Sequence, residues 1–423
     1  MTSGGAFASG YRGPEPSGRV TKRTATALRV VVIGAGVSGI SVARGLLRDG
    51  HDVTVFDRRN DIRPGGGAVT IWSNGDAVLR QLGVDMDGAG QLLSRVRVVT
   101  SRGRRLATLD VTAMANRLGA PVRMVPRRVL LERLLEGFPL DRIRSRARAV
   151  GVAATPSGAE VEFEDGGVAR ADVVIGADGL HSVLRDAVGA PAAEPTGWCS
   201  WQGLLAVPEL AGTRVATIAV GAQGNAGVWP AGGPEVQWWF DLPWSYDFVR
   251  PRHPLEVIRS TFAGWSDAID LVLGKLSDHD LLDSPYPHFR HPVAPARAPG
   301  PLTLLGDAAH TMPPTLAQGT NQALLDTMVL CKALSRVRGD ANDVSNALRR
   351  YETTRRRRVA AVSRVASVQI AHSENVLRPA ALLPDRLHTW LLTAFLQLTS
   401  HRRVSAEIDR NLAAAPPVTS GRR

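Results

Sequence analysis

The hydrophobic pattern opens at Arg29-Val-Val-Val-Ile33, a short β-branched run that meets glycine at once. Apolar residues without alternation predict a strand buried on both faces of a parallel sheet. Ile40, Ala43, Leu46 and Leu47 then recur at helical spacing, so a helix is predicted from about Ser38 to Asp49, stopped by Gly50. Val53-Thr-Val-Phe-Asp57 supplies a second strand and completes a β-α-β unit. Two later runs, Asp172–Ile175 and Leu302–Leu305, repeat the buried-strand pattern, ending in Gly-Ala-Asp and Gly-Asp. Between them, from about 195 to 290, alternating segments such as Glu235-Val-Gln-Trp-Trp-Phe predict a second, mainly antiparallel sheet. Beyond Asn321 the apolar spacing turns helical to about residue 412.

Composition excludes several classes. At 423 residues, 44% hydrophobic and 21% charged, the chain is globular rather than fibrous or wholly disordered. No run reaches the ~20 apolar residues of a membrane span. Cys199 and Cys331 are far apart and form no CxxC, so neither a disulfide scaffold nor a thiolate metal site is expected, and no metal is assigned. Two lone thiols suit a reducing cytoplasm. The net charge of +12 rests on arginine, since the only lysines are Lys22, Lys275 and Lys332. A positive field favours anionic ligands such as dinucleotides and carboxylates. Apart from the run Arg355–Arg358 the charges are dispersed and not interleaved with aromatics, which argues against nucleic acid as a partner.

Gly34-Ala-Gly36-Val-Ser-Gly39 is a GxGxxG directly after a strand and at the start of a helix. The glycines serve the tight turn, the approach of backbone to a pyrophosphate, and the strand–helix contact. Free N–H groups and the helix dipole hold the diphosphate. Asp57 ends the second strand, where its carboxylate can accept from both hydroxyls of an adenosine ribose and would repel a 2′-phosphate. The residues thus predict FAD or NAD, without choosing between them.

Asp172-Val-Val-Ile-Gly-Ala-Asp178-Gly179-Leu-His-Ser182-Val-Leu-Arg185 resembles the "DG" motif of the class A flavoprotein monooxygenases, the single-component aromatic hydroxylases related to p-hydroxybenzoate and salicylate hydroxylase. Gly306-Asp307-Ala-Ala-His310, continuing through Pro313, Pro314, Ala317, Gly319 and Asn321 to Asp326, resembles that family's "GD" motif, and Arg127 with Leu130 its Arg-x-x-Leu segment. The resemblance covers about residues 29–375. It implies an α/β fold: a Rossmann-type FAD-binding domain, a mainly antiparallel substrate domain and C-terminal helices. The expected division is a disordered leader at 1–27, the FAD-binding domain over 28–194 with some substrate-domain strands inserted, and the substrate sheet over 195–295. The second part of the FAD-binding domain follows at 296–375, then C-terminal helices and a tail at 376–423.

The same resemblance implies the cofactor site: Gly34, Gly36, Gly39, Asp57, Arg127, Asp178, Gly179, Gly306, Asp307, Pro314, Gly319 and Asn321. Asp307 would accept from the ribityl hydroxyls, and the N–H groups after Gly319 would face the reduced ring. Arg127 or Arg185 would offer positive charge. The bland reading of Arg128, Arg185 and the Arg355–Arg358 run is a solvated surface. There is no second GxGxxG, which suits NADH or NADPH visiting as a transient co-substrate. The implied reaction is hydroxylation of an aromatic or polyketide-like small molecule by dioxygen through a flavin hydroperoxide, which must be shielded from water. Epoxidation or another FAD oxidoreductase reaction of the same fold is the alternative, and a non-enzymatic basic binding protein the rival from a different class. A cytoplasmic monomer or homodimer without membrane attachment is expected.

Of nine tryptophans, six lie between 198 and 244, and Trp201, Trp229 and Trp238 are candidate substrate contacts against a core reading. Alternation sends Trp238 and Phe240 one way and Trp239 the other. Gln202 stands where many relatives carry arginine, and Ala317 where they carry glycine. Gln202, Tyr246 and His288 are candidates for catalytic roles.

Overall fold

A computed structural model describes residues 27–62, 66–292, 300–337 and 341–413. The expected leader lies outside them except for Ala27, as do residues 414–423 of the tail.

The run at the start of the chain forms β1 (Arg29–Ile33), the glycines turn into α1 (Val37–Arg48), and β2 (Asp52–Phe56) returns parallel to β1. Around β1 a five-stranded parallel sheet is ordered 302–304, 173–176, 29–33, 52–56 and 143–144. Strands 173–176 and 302–304, distant in sequence, thus reach the sheet beside the first glycine turn. One face is sealed by α1 and the buried helix Gly319–Leu334; the other faces a three-stranded antiparallel sheet of residues 149–155, 158–163 and 168–171. Gly45 of α1 faces Cys331 so closely that a Cβ would lie 2.6 Å from its sulfur.

The second sheet has seven strands, ordered 286–290, 194–206, 235–243, 224–232, 215–221, 95–100 and 105–110. Its members are antiparallel except for the pair 215–221 and 95–100. The strands at 95–110 come from within the first half of the chain, so the sheet is larger than the 195–290 segment alone predicts.

The two faces of this sheet differ. Cys199, Trp201, Ala226, Val228, Val236, Trp238 and Phe240 pack with Leu255, Ile258 and Phe262 of helix Pro254–Phe262 into a closed core. Leu204, Ile218, Trp229 and Trp239 point the opposite way and join Trp72, Met124 and Phe395. That second face is turned toward the nucleotide-binding half: Gln237 accepts from the N–H of Ala68, and Arg128 pairs with Glu235. The C-terminal chain is helical over Ala341–Ala380, Asp385–Leu398 and His401–Ala413. No helix among the described residues is long and apolar enough to cross a membrane.

Candidate active site

The glycine turn shapes the first part of the site. A Cβ at Gly39 would sit 1.8 Å from the carbonyl oxygen of Gly34, so only glycine lets α1 begin this close to β1. Gly36 has nothing within 4 Å on its open side. The first turn of α1 has neither a capping side chain nor an acidic residue, which leaves its amides free for an anion. Asp57 lies just beyond β2 with its carboxylate aimed back at the turn, accepting from Ala35 N at 2.7 Å and from Arg59. Burial pushes its pKa upward, but the hydrogen bonds from Arg59 and Ala35 more than offset this and hold it below the ordinary carboxylate range.

The second motif brings Asp178 to the end of strand Val173–Gly176, where one carboxylate oxygen accepts from Val183 N and the other is buried with no partner within hydrogen-bonding distance among the described residues. Burial raises its pKa. Arg185 corrects the surface reading. It is buried and donates to the carbonyls of Pro191, Ala308, Ala309 and Pro292, tying the second motif to the third. Arg127 is exposed at the start of helix Arg127–Leu135, its N–H bonded to Gly67 O.

The third motif sets an acidic side chain beside the start of a helix. Asp307 is exposed at the start of a short helix, and the position of a Cβ on Gly319 would be 3.9 Å from its Oδ1. Helix Gly319–Leu334 starts at Gly319, two residues before the predicted Asn321, and no side chain caps its N-terminus. Asn321 itself is fully buried. It accepts from Trp72 N and donates to the carbonyls of Thr70 and Ala317, so only its backbone is available to a ligand. Pro314 opens a single turn of 3-10 helix that ends at Ala317 in left-handed backbone (φ 49°).

Behind the third motif lies a charged cluster that no surface reading of Arg355 anticipates. Arg355 is buried and donates to Asp326 Oδ1 at 2.6 Å, while Asp326 Oδ2 takes Gly306 N at 3.0 Å and His310 Nε2 at 2.5 Å. His310 and Arg355 depress the pKa of Asp326 against its burial. The remaining arginines of the run are not equivalent: Arg356 and Arg357 are exposed, and Arg358 pairs with Glu407.

On the sheet, Trp201 and Trp238 belong to the closed core, with Arg250 stacked 5.2 Å from the Trp201 ring. Their assignment as substrate contacts is corrected, because strand alternation turns them away from the cofactor half. Trp229 does face that half, and Trp239 joins it at 5.8 Å between ring centroids. Trp239 lies flat over Gly227, where a Cβ would come within 2.0 Å of the indole. The Trp229 indole N–H is buried without a partner among the described residues. Gln202 is half-buried on the same face, its N–H bonded to Ser284 Oγ. Tyr246 is exposed on the outer surface against Trp244, which removes it as a catalytic candidate. His288 is buried beside Ser200.

Glycine turn, uncapped helix ends, the acid after β2 and Asp307 beside the start of helix Gly319–Leu334 fit a flavin dinucleotide in its donors, acceptors and clearances. They define an FAD-dependent oxidoreductase with one nucleotide-binding unit and a facing sheet. Residues 27–366 match the family described as FAD binding domain (FAD_binding_3). The 3-amino-4-hydroxybenzoate 2-monooxygenase PtnB3 of Streptomyces platensis is 32% identical over 361 residues, covering 79% of this chain and 86% of that protein. An FAD-dependent urate hydroxylase of Klebsiella pneumoniae subsp. pneumoniae is 30% identical over 339 residues, covering 78% and 87%. The structure of Klebsiella pneumoniae HpxO complexed with FAD and uric acid superposes with a TM-score of 0.75 at 26% identity, covering 91% of this chain and 97% of that one. The chain belongs to this FAD-binding family, and it is an FAD-dependent monooxygenase of the class A flavoprotein type.

Proposed function

We propose that this enzyme uses NADH or NADPH and dioxygen to hydroxylate a hydroxy- or amino-bearing aromatic or heteroaromatic small molecule. The observation that carries this reading is the face of the large sheet turned toward the nucleotide-binding half. There Gln202, Leu204 and Trp239 remain partly exposed, while Cys199, Trp201, Trp238 and Phe240 behind them are sealed. Flat apolar surface with a few polar groups suits a ring-shaped ligand. The relatives named for aminohydroxybenzoate and urate support the same ring chemistry.

FAD, when bound, supplies the redox chemistry, taking electrons from the nicotinamide and delivering one oxygen atom to the ring. The chain's own residues bind, orient and keep the site dry. Gly34, Gly36 and Gly39 give the diphosphate access to the amides of α1, Asp57 holds the ribose, and Arg127, Asp178 and Gly179 border the cofactor. Gly306 and Asp307 with Pro314, Gly319 and the backbone of Asn321 form the wall along its ring end. Gln202 carries no charge, so it recognises the ligand by hydrogen bonds rather than by a salt bridge. We take the enzyme to work in the cytoplasm as a monomer or homodimer, with neither nucleic acid nor membrane as a partner.

Anaerobic stopped-flow reduction of the FAD-loaded enzyme with NADH and with NADPH tests this reading, followed by oxygen mixing and mass spectrometry of products. The panel is 3-amino-4-hydroxybenzoate, uric acid, salicylate and an olefin. Substrate-accelerated reduction and a product heavier by one oxygen on a ring compound is expected. Turnover of the olefin alone to an epoxide would overturn the reading.

A further inference from the structure

Three buried polar side chains cross the cofactor-facing surface of the large sheet; of these only His288 has been raised above, as a catalytic candidate, and Asp241 and Ser200 have no assignment. Asp241, Ser200 and His288 come from the adjacent strands Glu235–Pro243, Glu194–Ala206 and Tyr286–Arg290, the last at the sheet edge. Ser200 stands in register with Asp241 on one side and Tyr286 on the other. Its hydroxyl hydrogen-bonds Asp241 Oδ1, and His288 Nε2 lies 3.0 Å from Ser200 Oγ. The next pair along this surface is Gln202 and Trp239, both partly exposed. The cluster therefore adjoins the region assigned to the ring-shaped ligand.

Such a cluster is costly as mere packing. A carboxyl removed from water is destabilising unless a cation or several donors compensate it. Among the described residues no arginine or lysine pairs with Asp241. Burial pushes its pKa up to about 7, opposed only by the Ser200 hydrogen bond. Around it stand uncharged groups: the Cys199 thiol, pushed up to about 12 by burial and by Asp241; Tyr286, whose pKa burial raises; and Asn225, in register on the neighbouring strand. His288 is pushed down to about 4 by burial, so its imidazole is neutral at pH 7.

A neutral imidazole carries one proton. Since the Ser200 hydroxyl donates to Asp241 Oδ1, it accepts from His288 Nε2–H, leaving Nδ1 as a bare, buried acceptor with no partner among the described residues. His288 thus fixes the hydroxyl, and the hydroxyl fixes the carboxylate. Oδ1 is committed, and a further proton is accepted at Oδ2.

Resting on the hydroxylation reading above, we infer that Asp241 is the general base that removes a ring O–H or N–H proton from the bound aromatic, with Ser200 and His288 as its positioning residues. For a phenol, the substrate O–H bond breaks, its electron pair stays on the ring oxygen, and a new O–H bond forms at Asp241 Oδ2. No oxidant is consumed in this step, and the proton leaves to solvent before the next turnover. The resulting ring anion is richer in electrons and better suited to accept oxygen. The favoured substrates therefore carry an ionisable ring hydroxyl or N–H, which narrows the class proposed above.

The test uses the FAD-loaded enzyme with 3-amino-4-hydroxybenzoate, uric acid and salicylate as probes, following product formation from pH 5.5 to 9. In the parent, kcat/KM should fall toward acid with a midpoint near neutrality. Asp241→Asn should lower kcat roughly 100-fold, a typical loss for a general base, with FAD content unchanged as a check on folding. It should also abolish the acid limb. Ser200→Ala removes a hydrogen bond that favours the ionised carboxylate, and should move the limb to higher pH, which a purely structural role would not do. In infrared difference spectra without substrate, a protonated-carboxyl band titrating near neutrality should be present in the parent and absent from Asp241→Asn. Parental rate and pH profile in Asp241→Asn, or absence of that band from the parent, would overturn the assignment. Failure of the parent to hydroxylate any of the three probes would instead overturn the function reading, and this inference with it.

Discussion

Arg355 Nε lies 2.6 Å from Asp326 Oδ1, and both side chains are closed off from solvent. Because Asp326 also receives Gly306 N, this ion pair sets the backbone from which Asp307 projects. Arg355→Ala leaves a buried carboxylate without its cation, and breaking such a pair typically costs about 3–5 kcal/mol. We expect a loss of thermal stability of that order together with weaker FAD binding. Differential scanning calorimetry and FAD titration check both. Unchanged FAD affinity in a destabilised variant would separate the ion pair from the site.

Ala317 holds left-handed backbone at φ 49° at the end of the 3-10 turn that precedes helix Gly319–Leu334. A non-glycine residue there is strained by roughly 1–2 kcal/mol. Glycine relieves the strain but returns about 0.5–1 kcal/mol of chain entropy to the unfolded state. Ala317→Gly is therefore expected to stabilise the enzyme by about 0.5–1 kcal/mol, measured as a rise in urea midpoint at constant m-value.

Trp201 and Trp239 lie on opposite faces of one sheet, so their truncation should separate stability from function. Trp201→Ala opens a cavity in a closed core and should cost about 3–5 kcal/mol in denaturant unfolding. Trp239→Ala should cost less stability and instead raise KM for the aromatic substrate. The reverse pattern would put the ligand on the wrong face.

His291 makes stability depend on pH. It is buried, and burial together with Arg185 pushes its pKa down to about 4 from an ordinary 6.5. Between those values the unfolded chain binds a proton that the folded chain does not, so this group's contribution falls as pH drops from 6.5 and is fully lost near 4. The window corresponds to roughly 3 kcal/mol. His291→Gln should flatten the stability–pH slope there, read from urea midpoints at pH 4.5, 5.5 and 7. An unaltered slope would show that other groups set it.

The glycine turn and its β-α-β unit were legible because they are local. GxGxxG, the strand before it, the helix after it and Asp57 lie within about thirty residues, and each has a short-range physical duty. The two later motifs were readable as strand-end acids, but Arg185 and Arg355 were not readable as buried. Arg185 finds four carbonyls spread from residue 191 to 309, and Arg355 finds its carboxylate on another helix. Neither an isolated arginine nor a run of four announces such partners.

Alternation established that Trp238 and Trp239 diverge, since successive side chains of a strand must point apart. It did not determine which of them meets the cofactor half. That was decided by the docking of helix Pro254–Phe262 on one face and of residues 67–72 on the other. The cluster Asp241–Ser200–His288 joins residues 41 and 88 positions apart, through strand register alone. Periodicity and local motifs fixed which elements form and where the glycine turn lies. The inside of the second sheet, and the acid set within it, exist only once burial and cross-strand pairing have chosen a face, because those energies depend on neighbours that a linear chain does not name.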